Sequence, residues 1–175
     1  MTFQPLIDVK NLSVTFMGRD KDVHAVREIS FQVFPGEAIG FVGESGSGKS
    51  ATARSLVQLT PEGARAKIEG EAIFDGVNLL SLTEKKISDI RGRQISMVFQ
   101  DPMTSLNPVL GVGTQITDIL LRHKDLSKKQ ARSRAIELLD LVGIRNPKAR
   151  ASDFPHEFSG GMRQRVTIAM AISCE

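Results

Sequence analysis

Gly43-Glu44-Ser45-Gly46-Ser47-Gly48-Lys49-Ser50 fits the pattern G-x-x-x-x-G-K-[S/T] at every fixed position. The chemistry such a segment offers is the binding of phosphate. Glycines let the backbone wrap closely around an oxyanion, and backbone N–H groups at the start of a helix add partial positive charge. In this arrangement the Lys49 ammonium sits between β- and γ-phosphates, and the Ser50 hydroxyl is offered to Mg²⁺. The alternative is a plain glycine-rich turn between a strand and a helix. The flanks favour the phosphate reading. Ala38–Val42 is apolar with no alternation, predicted to be a strand buried on both faces, and Lys49–Leu59 has helical spacing stopped by Pro61.

Two other segments carry similar potential. Ser159-Gly160-Gly161, after Phe158, opens a predicted helix with a small hydroxyl and two glycines. That is a second helix start with room for an anion, although alone it reads equally as an N-cap with a loose turn. Gln100 ends the apolar stretch Ile95–Phe99, predicted as a strand, and Asp101–Val109 follows as a loop with two prolines. A glutamine at the carboxyl end of a strand stands where α/β sheets bind ligands. Its amide can reach both a metal ion and a water.

These residues need elements to hold them. Leu6–Val9 and Val14–Phe16 read as strands around a polar bend, and Ile29–Val33 alternates as a half-buried strand. Ile68–Phe74 leads into the turn pair Asp75-Gly76. Ser81 and Glu84 have the spacing of a capping box for a short helix reaching about Arg91. Val112–His123 and Ser127–Val142 are predicted helices. The second has Ser127 and Gln130 as a capping box and Gly143 at its end. Ser159 caps a last helix. Early alternation of strands and helices, followed by helices alone, predicts an α/β core with a mostly helical insertion.

Composition narrows the class. The 175 residues are 41% hydrophobic and 25% charged, values of an ordered globular chain. The longest apolar run, Ile168–Ile172, falls far short of the ~20 residues that span a bilayer. The N-terminus has no basic region followed by an apolar stretch, so no secretory signal is expected. The single cysteine, Cys174, cannot form an intrachain disulfide, and no Cys/His spacing suits zinc. The net charge of +3 is uneven, with nine basic residues against three acids between Arg122 and Arg150. Such a run reads first as a solvated helix face and second as a surface for an anionic partner.

Taken in order, GESGSGKS at 43–50, FQDPMTSLNP at 99–108 and FPHEFSGGMRQRV at 154–166 resemble the nucleotide-binding subunit of ATP-binding cassette (ABC) transporters. The last two segments look most like the ATPase subunits of bacterial oligopeptide and dipeptide importers, with nickel importers close by. The resemblance covers nearly the whole chain. It implies a phosphate-loop core of ABC ATPase type with an antiparallel β subdomain at the N-terminus and a helical insertion. In this scheme residues 1–100 hold the β subdomain and phosphate loop, 101–158 the helical part, and 159–175 the signature helix.

For the site, the resemblance implies ATP and Mg²⁺ as ligands. Gly43, Glu44, Ser45, Gly46, Ser47, Gly48, Lys49 and Ser50 would hold the phosphates, with Ser50 and Gln100 toward Mg²⁺. Gln100 would sense the γ-phosphate. Ser159, Gly160 and Gly161 would contact the nucleotide held by a second ATPase subunit packed head to tail. Adenine stacks in this family on an early aromatic residue, commonly Tyr. This chain has none. Phe16 holds the corresponding place, unless it is simply a core residue of the N-terminal sheet, and His24 is a second candidate. Phe158 and Met162 depart from the common Leu and Gln of the signature. The implied partners are two membrane permease subunits, a second ABC ATPase subunit, and an extracytoplasmic peptide-binding protein reached through the permease. The helical part would be the docking surface, around Val109–Leu121, at the cytoplasmic face of the membrane. No nucleic acid is expected.

The family also implies an apolar strand ending in Asp-Glu and a switch histidine after the signature helix. The sequence reaches Glu175 before either. His24, His123 and His156 all lie upstream, and His156 reads as a surface or packing residue. The expectation is therefore an N-terminal fragment lacking the C-terminal part of the core, with little hydrolysis on its own. Competing readings are a nucleotide-binding module without turnover, a remnant without function, and a soluble cassette ATPase that meets nucleic acid through its basic segment.

Overall fold

The computed structural model describes residues 4–61, 63–101 and 105–175. The chain divides into two compact units, one ending at Ile87 and the other starting at Ser88. Residues 102–104 of the predicted 101–109 loop lie outside the described residues.

The first unit is organised by an antiparallel sheet of order β2-β1-β3-β4. β1 (Ile7–Met17) lies between β2 (Val23–Val33) and β3 (Arg65–Phe74). The two short strands predicted at Leu6–Val9 and Val14–Phe16 are thus one long strand. Their polar bend is a bulge. Asn11 takes φ 49°, and the register with β3 shifts between Lys10 and Ser13. The shift resets the alternation, so that Val9, Leu12 and Val14 are all buried. Opposite the bulge, a Cβ on Gly70 would stand 2.5 Å from the Asn11 carbonyl oxygen, so only glycine fits there. β2 extends well before the predicted Ile29–Val33. Its first half carries Arg27 and Glu28, and the Glu28 N–H donates to Ser13 Oγ at 3.0 Å.

Asp75 and Gly76 both have positive φ, 48° and 77°, as a two-residue hairpin turn demands. They join β3 to β4 (Val77–Asn78). The expected Ser81 cap does not form. Asn78 Oδ1 accepts the Leu80 N–H at 3.1 Å and starts a 3₁₀ turn at Leu79–Ser81, while Ser81 Oγ donates back to the Asn78 carbonyl at 2.8 Å. With its hydroxyl engaged there, Ser81 leaves α2 (Glu84–Ile90) to start two residues later, where the Ile87 N–H reaches the Thr83 carbonyl at 3.0 Å.

Two predicted strands are absent. Ala38–Val42 and Ile95–Phe99 carry no ladder among the described residues, apart from a single bridge between Arg91 and Ile95. Far from being buried on both faces, Val42 is 98% exposed. Phe41 lies edge-on to Phe31, with ring centres 5.1 Å apart. The apolar run identifies residues that would bury well. A strand also needs a neighbour to take its N–H and C=O groups, and the four described strands pair with one another instead.

The second unit is helical. α3 (Val112–His123), α4 (Lys128–Leu141) and α6 (Gly160–Ala171) follow the sequence reading closely, and a short α5 (Pro147–Arg150), which the reading did not include, lies between the last two. The Ser127/Gln130 capping box is present, and Gly143 ends α4 with φ 77°. One contiguous core joins Val112, Ile116 and Leu120 of α3, Ala135, Leu138 and Leu139 of α4, and Val166 and Ala169 of α6. Phe158, 3% exposed, packs into this core, and the Arg150 guanidinium lies 5.4 Å from its ring centre. Among the described residues, no helix is long and apolar enough to cross a membrane.

Two outcomes follow from these contacts. Leu139→Ala should cost about 2–5 kcal/mol in denaturant unfolding, while Val42→Ser should stay within about 0.5 kcal/mol. His123 ends α3 with its pKa lowered from 6.5, first by burial, then by Arg122 and Arg93, against an opposing pull from Asp89. A lowered histidine pKa favours folding when the ring is neutral. The melting temperature should therefore fall as pH drops below 6.5 toward the lower folded value, and a His123→Gln variant should fall less over that range.

Candidate phosphate-binding site

The loop 43–50 leads into α1 (Lys49–Leu56) in the first unit. The helix ends three residues earlier than its apolar spacing predicts, because Gln58 turns left-handed at φ 54° and the Leu59 N–H returns to the Arg54 carbonyl at 2.9 Å. The candidate site lies at the N-terminal side of α1. Gly48 is the N-cap at φ 93°, ψ 0°, and no side chain caps the helix. The first N–H groups of α1 are thus left for an external acceptor.

Gly48 is fixed by geometry. A Cβ there would lie 2.3 Å from the Ala25 carbonyl oxygen on β2. The loop therefore rests backbone to backbone on the sheet. Gly46 also has positive φ, 83°, and the Ser47 N–H closes a turn on the Glu44 carbonyl at 3.2 Å. Thr52, buried, donates both its N–H and its hydroxyl to the Gly48 carbonyl, at 2.8 and 3.0 Å. These bonds hold the loop to the first turn of α1.

Lys49 is turned into its own loop. Its Nζ donates to the carbonyls of Gly43 and Glu44, each at 2.7 Å, and to Ser47 Oγ at 3.3 Å. The ammonium thus occupies the mouth of the loop, held by neutral acceptors that a phosphate oxygen would replace with a stronger, charge-assisted bond. Ser50 is exposed at the helix start. The loop opens onto a cavity of about 490 Å³ lined by Gly43, Gly46, Ser47, Lys49, His24 and Phe41, among others.

Phe16 lies elsewhere. It is half-buried in β1 and lines a separate cavity of about 220 Å³ with Val14, Ile68, Ala51 and Leu59. His24, the second candidate, shares the cavity of the phosphate loop, and its Nδ1 lies 3.0 Å from Thr15 Oγ1. The two candidates stand on paired strands, with Phe16 opposite Val23 and His24 opposite Thr15.

Gln100 and Ser159–Gly161 belong to the second unit. Gln100 is exposed in a bend. Ser159 caps α6, with Oγ accepting the Met162 N–H at 3.4 Å. A Cβ at Gly160 or Gly161 would meet nothing within 4 Å, so the start of α6 is an open surface. His156 is exposed and stacks on Phe154 at 5.8 Å. Arg163 Nε, in the first turn of α6, is buried without a hydrogen-bond partner among the described residues.

Gln115 was not singled out by spacing, yet it shapes the segment after Gln100. Buried on α3, it accepts the Asn107 N–H at 2.9 Å and donates to the carbonyls of Asn107 at 3.0 Å and Leu110 at 2.9 Å. A polar residue on the buried face of an otherwise amphipathic helix is the signal that could have found it.

Comparison with known proteins places this geometry. The family described as ABC transporter matches residues 26–175. The chain is 49% identical to the oligopeptide transport ATP-binding protein OppD of Bacillus subtilis over 168 residues, 96% of this chain and 47% of that protein. It is 49% identical to OppD of Escherichia coli, covering 97% of this chain and 50% of that one. With the dipeptide transport ATP-binding protein DppD of Bacillus subtilis the identity is 48%, over 98% of this chain and 51% of the relative. The chain thus spans about half the length of the curated relatives it matches. Among solved structures, the ATP-binding cassette MJ0796 as a dimer in a post-hydrolysis state, bound to ADP and Pi, superposes with a TM-score of 0.83 at 27% identity. That match covers 96% of this chain and 69% of that one. By this match over most of its length, the chain belongs to the ABC transporter ATPase family.

Proposed function

We propose that this chain is the ATP-binding part of a peptide importer, and that it holds the triphosphate of MgATP in the loop 43–50. The observation that carries the reading is the uncapped N-terminus of α1 behind Gly48, with the Lys49 ammonium at the mouth of the loop. Phosphate oxygens would take the free N–H groups and draw Lys49 off the Gly43 and Glu44 carbonyls. The Ser50 hydroxyl, with no capping role of its own, fits a Mg²⁺ ligand. Bound Mg²⁺ would neutralise charge that develops on the phosphates. Adenine is proposed to pack at the sheet end where Phe16 and His24 stand on paired strands; His24 already lines the cavity of the phosphate loop, and Phe16 would have to turn out of its separate cavity to supply the aromatic face.

The assembly is proposed from the same family. The open start of α6 at Ser159–Gly161 suits a phosphate brought by a second ATPase subunit, and the relative solved as a dimer with ADP and Pi supports that arrangement. The peptide substrate is proposed from the names of the relatives, which describe oligopeptide and dipeptide transport. Permease subunits at the cytoplasmic face of the membrane, docked on the helical unit around Val109–Leu121, and an extracytoplasmic binding protein complete the proposal. Val109 is well exposed there, as a docking residue must be.

Ligand-dependent melting tests the core of the reading. MgATP at a hundred times its dissociation constant should stabilise the protein by about 2.7 kcal/mol. Lys49→Ala should weaken MgATP about 10- to 100-fold, the loss of charge-assisted bonds. Gly48→Ala, which forces a Cβ onto the Ala25 carbonyl, should destabilise the fold by about 1 kcal/mol or more and abolish the shift. An unchanged MgATP shift in Lys49→Ala would contradict the assignment.

A further inference from the structure

A cavity of about 350 Å³ in the helical unit has no part in the nucleotide reading. Its size is that of a small-molecule site. Its walls include Thr117 and Asp118 of α3, Lys128 and Arg132 of α4, and Ser152. Asp118, Lys128 and Arg132 make no ion pair or side-chain hydrogen bond among the described residues. Opposite charges therefore line one cavity without meeting.

The cations stand where the helix alone disfavours them. Lys128 and Arg132 are one turn apart on the same face of α4, and like charges at that spacing repel. Lys128 also lies in the first turn, which holds no acid to offset it. On the same helix Arg134 is paired, with Glu137 at 3.0 Å. The unoffset pair thus faces the cavity.

The hydroxyls have a definite polarity. Thr117 Oγ1 donates to the Gly113 carbonyl at 2.7 Å, and Ser152 Oγ donates to the Ala149 carbonyl at 3.0 Å. With their protons committed, both oxygens offer only lone pairs to the cavity. Two acceptors and a carboxylate suit an ammonium group, while Lys128 and Arg132 suit a carboxylate. A plain anion would satisfy the cations and leave Asp118 opposed to it.

We propose that this cavity binds a small zwitterion of the amino-acid or short-peptide class. Its carboxylate lies against Lys128 and Arg132, and its ammonium lies against Asp118 and the Thr117 and Ser152 oxygens.

Calorimetric titration of the purified protein with L-alanine, L-alanyl-L-alanine, N-acetyl-L-alanyl-L-alanine and inorganic phosphate tests the assignment. Saturable binding of alanine or dialanine with a dissociation constant of about 1 mM or lower is expected. Acetylation, Asp118→Asn and Arg132→Gln should each weaken it about tenfold or more. All three charged residues are exposed on helices, and a far-ultraviolet circular dichroism spectrum matching the parent would show that the variants are folded. Failure of both zwitterions to bind at about 20 mM, well above that constant, would overturn the proposal. So would phosphate binding as tightly as dialanine and tightening in Asp118→Asn, the behaviour of a simple anion site.

Discussion

The contact of Gly48 with the Ala25 carbonyl governs the first unit's chemistry. A backbone that must pass within 2.3 Å of where a Cβ would stand accepts only glycine, and the contact pins the loop to β2. Pinned there, α1 begins without a side-chain cap, and its N–H groups face outward. Lys49 then folds back onto the carbonyls of its own loop, where the backbone of Gly43 and Glu44 offers it two acceptors. A loop so arranged is complete in shape before any ligand arrives. On the proposed reading, a phosphate would exchange hydrogen-bond partners with the backbone left in place, and that preorganisation would lower the entropic cost of capture.

The second unit solves a different problem. Its helices bury a single apolar core, and the signature segment is an extension of that core. Phe158 is sunk among the helices, so Ser159, the next residue, is fixed at the surface as the cap of α6. Gly160 and Gly161 then leave the helix start bare. Gln115 does the same service for the segment after Gln100, tying Asn107 and Leu110 to α3 through three hydrogen bonds. In both places a buried side chain holds an exposed segment that has chemistry to offer.

How much of this was legible in the sequence depends on where each element finds its partners. α4 was readable almost to the residue, since Ser127, Gln130 and Gly143 act through bonds within their own segment. The Asp75-Gly76 turn was readable for the same reason. Ala38–Val42 was not, because strand formation is decided by a neighbour, and hydrophobicity reports only the residue's own preference. The bulge at Asn11 was hidden for a related reason. It exists because Gly70 on another strand makes room for it. Within the site, Gly48 was legible because it answers a steric demand, whereas the inward fold of Lys49 is a choice among acceptors that spacing does not encode. Phe16 was placed by its position before the loop. The cavity it lines, on the α1 side of the sheet, depends on packing that no pattern of residues declares.

The central claim is that the open N–H groups behind Gly48 receive the phosphates of a nucleotide. Amide hydrogen exchange over residues 43–52, with and without MgATP, reads those groups directly. The account predicts slowed exchange at Lys49, Ser50 and Ala51 when MgATP is present, with no change in β1. Exchange at these amides that is the same with and without MgATP, under conditions where the nucleotide is bound, would contradict it.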